Sequence, residues 1–182
     1  MNLHLGCWHR EIPGFINVDL CDFPHIHYKN SIDDLSMFRD NSVDLIYSSH
    51  SLEYFDRTEV FNVLTEWSRV LKTGGTLRIA VPDFEALSSL YDEKKDISLI
   101  LGPLYGAMTI KTSTGEKKLY HKICYDFVSL KSTLENASFH SVRRYDWKNT
   151  IHKDYDDHSQ AYFPHFDKEN GKLLSLNIEA TK

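Results

Sequence analysis

Only nine residues, Gly6 to Gly14, separate the two strand-like runs at the head of the chain, Asn2–Leu5 and Phe15–Leu20. A crossover between parallel neighbours normally takes a dozen or more residues and a full helix. The helix that usually follows a first strand must therefore be reduced to a turn or displaced. The same stretch, LHLGCWHREIPGFINVD, carries a single glycine after the first strand, where dinucleotide folds place three. A shortened crossover also removes the helix N-terminus that would hold a pyrophosphate.

The rest of the first half supports a parallel sheet, because strand-like and helix-like segments alternate. Val43–Ser48 reads as a third strand. From Arg57 to Leu71, Val60, Val63, Leu64, Trp67, Val70 and Leu71 recur at spacings of three and four, which is one helix face. Lys72–Gly75 stops that helix, with a glycine available for a left-handed cap. Thr76–Val81 then reads as a central strand closed by Pro82.

The second half is less regular. Phe84–Asp92 can be helical, Ile97–Thr109 reads as a bent helix or lid, and Lys111–Lys118 as a polar turn. Asp126–Ala137 is amphipathic, and Ser141–Trp147 and Leu173–Ala180 are the last strand candidates. The long polar and aromatic segment between them, Lys148–Gly171, suggests an antiparallel hairpin at the sheet edge and a functional loop.

With 182 residues and no repeat or linker, a single domain is the economical reading, 1–92 forming a cofactor-binding half and 93–182 a substrate-binding or lid half. A net charge of −5 and the lack of a basic run argue against a nucleic-acid partner. The three cysteines, Cys7, Cys21 and Cys124, form no CxxC pair and suit a reducing cytoplasm. No apolar run approaches the length of a membrane span.

The stretch NSVDLIYSSHSLEYFDRTEVFNVLTEWSRVLKTGGTLRIAVPDFEAL closely resembles the middle of class I S-adenosylmethionine-dependent methyltransferases, in which R-V-L-K-x-G-G-x-L leads into a strand. GFINVDL, HKICYDFVSLKSTLENASF and DDHSQAYFPHFDK are similar to a small bacterial subgroup associated with surface-polysaccharide modification. The resemblance implies a Rossmann-like, mostly parallel seven-stranded sheet with helices on both faces and an antiparallel last strand. It implies S-adenosylmethionine as cofactor, S-adenosylhomocysteine as product and a small saccharide-like acceptor, with O-methylation of a sugar, nucleotide-sugar or glycan precursor as the reaction.

Carried over position by position, Gly6 would let the cofactor approach the backbone, with Cys7 and Trp8 beside it; Trp8 stands where the family commonly has a second glycine. Asp19 would accept from the ribose hydroxyls. Asp33 resembles the adenine-reading position, with Asp34 as competitor and helix capping as the other use of either acid. Ser48, Ser49 and His50 end the strand at which the methionine end of the cofactor would sit. Leu52, Glu53 and Tyr54 match an L-E-H-like phrase, with Tyr54 in place of the histidine. Trp67, Arg69 and Leu71 read as fold residues.

Methyl transfer to an oxygen or nitrogen needs orientation and a base. The candidates are His121 or His158, with Asp157 or Tyr162 orienting, and His50 as a further base or positioning group. The cluster His152, Asp154, Asp156, Asp157, His158, His165 and Asp167 also offers metal ligands, but without the helical spacing of HExxH, so no metal site is assigned. The competing functions are a non-catalytic module that keeps the fold and, less favoured, a nicotinamide-dependent oxidoreductase.

Overall fold

A computed structural model describes residues 1–112 and 115–182. Its main sheet has seven strands: β1 (Asn2–Leu5), β2 (Phe15–Asp19), β3 (Tyr28–Lys29), β4 (Val43–Ser49), β5 (Leu71–Pro82), β8 (His140–Arg144) and β11 (Ser175–Thr181). They lie in the order β3-β2-β1-β4-β5-β11-β8, and every neighbouring pair is parallel except those made by β11, which runs antiparallel to both β5 and β8. Residues 6–14 contain no helix, as the nine-residue spacing requires. The helices are α1 (Glu59–Val70), α2 (Phe84–Lys94), α3 (Ser98–Tyr105) and α4 (Phe127–Asn136), the last capped by a reciprocal Asp126–Ser129 box.

Two expectations change. The glycine cap after α1 is not used: Leu71 is already extended and begins β5, while Gly74, with φ of 76°, sits in the irregular β4–β5 pairing and donates its N–H to the Lys182 carbonyl. The predicted polar turn at Lys111–Lys118 is instead flanked by paired strands, β6 (Met108–Thr112) and β7 (Gly115–Leu119), in which Met108 faces Leu119 and Ile110 faces Lys117. Ser113 and Thr114 lie outside the described residues. The alternation of Met108 and Ile110 gives this hairpin one apolar face.

Strand alternation divides the sheet into two chemically different faces. On one, Leu3, Leu5, Ile46, Leu77, Ile79, Val81, Leu176 and Ile178 form the core with Val60, Val63, Leu64 and Trp67 of α1 and Leu130 and Leu134 of α4. Each such fully buried side chain contributes about 1.5–3 kcal/mol. α1 also shapes the chain beyond β3. Trp67 Nε1 donates to the Ile32 carbonyl at 2.7 Å, and the Arg69 guanidinium donates to the carbonyls of Leu35 and Phe38, both at 3.0 Å. Trp67 and Arg69 are therefore fold residues, and together they hold the loop that begins at Ser31.

The opposite face presents His4, Tyr47, Ser49 and Asn177, and the 152–160 segment, with its short 3-10 helix at His158–Gln160, packs on it. The ring of His152 stacks on Tyr47 at 3.9 Å, Tyr47 donates its hydroxyl to Asp157 at 2.5 Å, and Asn177 Nδ2 donates to the Ser159 carbonyl at 2.8 Å. A polar sheet face needs polar partners, and this segment supplies them where an apolar helix stripe could not.

β9 (Tyr162–Phe163) and β10 (Lys172–Leu173) form a small hairpin ahead of β11. The long loop before the closing strand is thus partly structured, and the strands on either side of it, β8 and β11, pair antiparallel with β8 at the sheet edge, as expected. No helix among the described residues is long and apolar enough to cross a membrane.

Candidate functional site

A cavity of about 960 Å³ opens at the carboxyl ends of β1, β2 and β4, and it is lined from both halves of the chain. Gly6 ends β1 with φ of 68°, a left-handed backbone that favours glycine. A Cβ there would lie 2.1 Å from Ser51 Oγ, so the close neighbour that demands glycine within the chain is Ser51. Trp8 is also left-handed, with φ of 46° and 44% exposure. Trp8 thus holds a backbone conformation that glycine favours. Its N–H donates to Asp19 Oδ2 at 2.7 Å, and the Cys21 N–H donates to Asp19 Oδ1 at 2.7 Å. Asp19 is buried, lines the cavity and still has lone pairs free, since a carboxylate offers about four acceptor sites. Cys7 lines the same wall, and burial pushes its thiol up to about 12, leaving it inert.

Two predicted cofactor residues are not brought to this wall. Ser48 faces the opposite way, paired to Leu5 on the α1 side of the sheet, because alternate residues of β4 point to opposite faces; Ser49 and His50 reach the cavity instead. Asp33 is exposed and outside the lining, which is formed at that point by Ser31 and Ile32. Asp34 serves a turn, accepting from the Ser36 N–H at 3.1 Å.

His50, His121, Asp157 and His158 all line the cavity. The ring centroids of His50 and His158 are 5.2 Å apart. His121 Nδ1 lies 2.9 Å from the Pro103 carbonyl, and Tyr54 packs edge-on to its ring at 4.8 Å. Burial depresses the pKa of both His50 and His121, so both imidazoles are neutral at physiological pH. Asp157 has a structural role: it accepts from Tyr47, from Ser49 Oγ at 3.2 Å and from the Ser159 N–H at 2.7 Å. Tyr162 is not at the cavity; its hydroxyl accepts from Trp147 Nε1 at 3.2 Å. The histidine and carboxylate cluster is dispersed as well. His152 is buried against Tyr47, Asp156 pairs with Lys168 at 2.8 Å, and His165 packs on Phe166. Among the described residues no group of three or more His, Cys, Asp or Glu is arranged to hold a metal ion.

Several lining residues were not singled out as site residues from sequence. Arg10, Lys117 and Lys118 stand on the cavity wall without an ion-pair partner among the described residues. Lys117 shares the inward face of the β6–β7 hairpin with buried Ile110. Glu53, wholly buried just beneath, has both carboxyl oxygens without a hydrogen-bond partner. The available signal was an acid inside the largely apolar SLEYF.

Residues 17–79 match a family model described as a methyltransferase domain. No curated protein matches the sequence. Among solved structures, the chain is similar to a SAM-dependent methyltransferase from Archaeoglobus fulgidus, at 18% identity and a TM-score of 0.57, covering 100% of this chain and 85% of that one. It is similar to an S-adenosylmethionine-dependent methyltransferase from Mesorhizobium loti at 14% identity and 0.53, covering 100% and 90%. A third is the Burkholderia thailandensis 1,6-didemethyltoxoflavin-N1-methyltransferase with bound 1,6-didemethyltoxoflavin and S-adenosylhomocysteine, at 14% identity and 0.54, covering 100% and 70%. At such identities the likeness is one of fold, and it extends over the whole chain.

Proposed function

We propose, from the premise that the chain carries a methyltransferase domain on the class I S-adenosylmethionine-dependent fold, that it methylates a hydroxyl of a small sugar, nucleotide-sugar or other glycan precursor. The observation that carries the cofactor half of this reading is Asp19. It is a buried carboxylate at the end of β2, fixed by two backbone N–H groups and open to the cavity on its remaining lone pairs. Such an acceptor suits two ribose hydroxyls. Ser31 and Ile32 are the residues that would flank an adenine, and Ser49 and His50 those nearest the methionine end. The helix-free 6–14 crossover offers no helix N-terminus to a pyrophosphate, which favours a cofactor without phosphate over a dinucleotide.

Bound S-adenosylmethionine supplies an electrophilic methyl group on a sulfonium sulfur. The chain's own contribution is to hold the acceptor in line and to take its proton. His121 and His50 are neutral imidazoles on the wall, matched to that second task. Support for a phosphate-bearing sugar comes from Arg10, Lys117 and Lys118, cations that line the cavity of a chain whose net charge is −5.

The test is transfer of a labelled methyl group from S-adenosylmethionine to a panel of free sugars, sugar phosphates and nucleotide sugars. Label on a nucleotide-sugar hydroxyl is the expected result. Label that goes only to amine acceptors would contradict the O-methylation reading.

A further inference from the structure

Glu53 is anomalous. It lies in the short turn Leu52–Tyr54, it is 0% exposed, and both of its carboxyl oxygens lack a hydrogen-bond partner. A buried carboxylate without a compensating cation is costly by several kcal/mol, so its neighbours must explain it. Oε1 lies 3.5 Å from His50 Nδ1 and 3.8 Å from His121 Nε2.

The hydrogen bonds on the far side of each imidazole fix its tautomer. His121 Nδ1 faces the Pro103 carbonyl, which can only accept, so Nδ1 carries the hydrogen and Nε2 presents a lone pair. On the other side, Asn177 Nδ2 donates to the Ser159 carbonyl, which fixes the orientation of that amide and leaves Oδ1 as an acceptor 3.0 Å from Ser175 Oγ. The second contact of Ser175 Oγ is the Val81 carbonyl, again an acceptor, at 3.5 Å. The single Ser175 proton therefore points away from His50. His50 Nε2, 3.1 Å from Ser175 Oγ, must be the donor there, and His50 Nδ1 presents a lone pair to Glu53.

Two lone pairs thus converge on one oxygen of a buried carboxyl. Three acceptors cannot face one another without a proton between them. No other group packed against Glu53 reaches its oxygens with a hydrogen: Tyr54, Cys124 and Tyr125, which burial keeps protonated, make no hydrogen bond to either carboxyl oxygen, and the Lys122 ammonium is paired with Glu59. His158 stands beyond His50.

We propose that Glu53 is a positioning residue, a neutral carboxylic acid whose one proton is turned toward the nearer lone pair, His50 Nδ1, and that by being uncharged it leaves His121 Nε2 an unprotonated base with its lone pair free for the acceptor. Burial holds the Glu53 carboxyl up to about 8, in keeping with this state. The space beside His121 Nε2 is open because residue 106 is glycine: a Cβ there would come within 2.3 Å of that nitrogen. Glu53 resembles a small number of enzyme carboxyls that work as hydrogen-bond donors at neutral pH. The step it serves is balanced simply. The acceptor O–H bond would break, its proton going to His121 Nε2 and its electron pair staying on the oxygen, which would form the new bond to the methyl carbon as the methyl–sulfur bond of the sulfonium breaks and that electron pair stays on sulfur.

This inference rests on the methyltransferase reading only for the step it serves; the protonation state is testable without cofactor or acceptor. Infrared difference spectra of wild type against Glu53→Gln, recorded from pH 5 to pH 10, are expected to show a protonated-carboxyl C=O band at pH 7. That band is lost with a midpoint near 8 and is absent from the variant. Should the variant fail to fold, ¹⁵N–¹H spectra of the wild-type imidazoles give the same answer. His121 should be protonated on Nδ1 alone and His50 on Nε2 alone at pH 7. A carboxyl that titrates in the ordinary glutamate range, or either imidazole doubly protonated at pH 7, overturns the proposal. In methyl-transfer assays, Glu53→Ala should lower kcat about tenfold or more with cofactor affinity unchanged, and Glu53→Gln should recover most of that loss. Equal losses in the two variants would show a merely structural residue and overturn it too.

Discussion

Gly6 and Glu53 mark the two ends of what single residues disclose. Gly6 was read as opening the backbone to a cofactor, and the structure adds a conformational reason, φ of 68° and Ser51 Oγ 2.1 Å from any Cβ. Substituting Gly6→Ala is expected to destabilise the fold by about 2–4 kcal/mol, from overpacking and left-handed strain together. Adding Ser51→Gly should restore the overpacking part and leave about 1–2 kcal/mol from the backbone. Urea unfolding of the single and double variants measures both, and no recovery in the double variant would show that Ser51 is not the obstacle. Asp19 was expected at the carboxyl end of the second strand, and it lies there, buried and on the cavity wall. Glu53 was not legible, because its meaning depends on His121, distant in sequence, and on tautomers set by Pro103, Ser175 and Asn177. Ser48 and Asp33 were misread for a local reason: a one-residue step on a strand reverses the face, and a capping acid resembles a binding acid in sequence.

At the level of elements, periodicity located α1, β4 and β5, and the short first crossover was forced by residue count. The cover of the second sheet face was hidden because it is a segment of turns anchored by isolated polar residues, which have no period. Its histidines were read as candidate ligands. Instead, burial lowers His4 to about 4 and His152 also downward, so the folded state keeps both neutral where the unfolded chain would protonate them. The unfolded state then binds more protons as pH falls below about 6.5, and stability is lost progressively from there toward pH 4. His152 is fully buried with both ring nitrogens unpartnered. His152→Phe is therefore expected to keep the stack on Tyr47 and to flatten this acid limb in thermal unfolding measured from pH 4 to pH 8. An acid limb as steep as that of wild type would show that His152 has no part in it.

The whole molecule combines a mostly parallel sheet whose strand ends converge on one cavity with a second cavity wall assembled late in the chain. The mostly parallel sheet and the place of Gly6 and Asp19 at its strand ends followed from segments near one another in sequence. The opposite wall of the cavity did not, because α3, the β6–β7 hairpin and the 157–161 segment meet only through the fold. The central claim is that this cavity binds S-adenosylmethionine through Asp19. Isothermal titration calorimetry of S-adenosylmethionine into wild type and Asp19→Ala tests it most directly. Saturable one-site binding that weakens about tenfold or more in the variant is predicted, corresponding to loss of hydrogen bonds to a charged group worth about 1.5–3 kcal/mol. No binding to wild type at millimolar cofactor, or equal affinity in the two proteins, would contradict it.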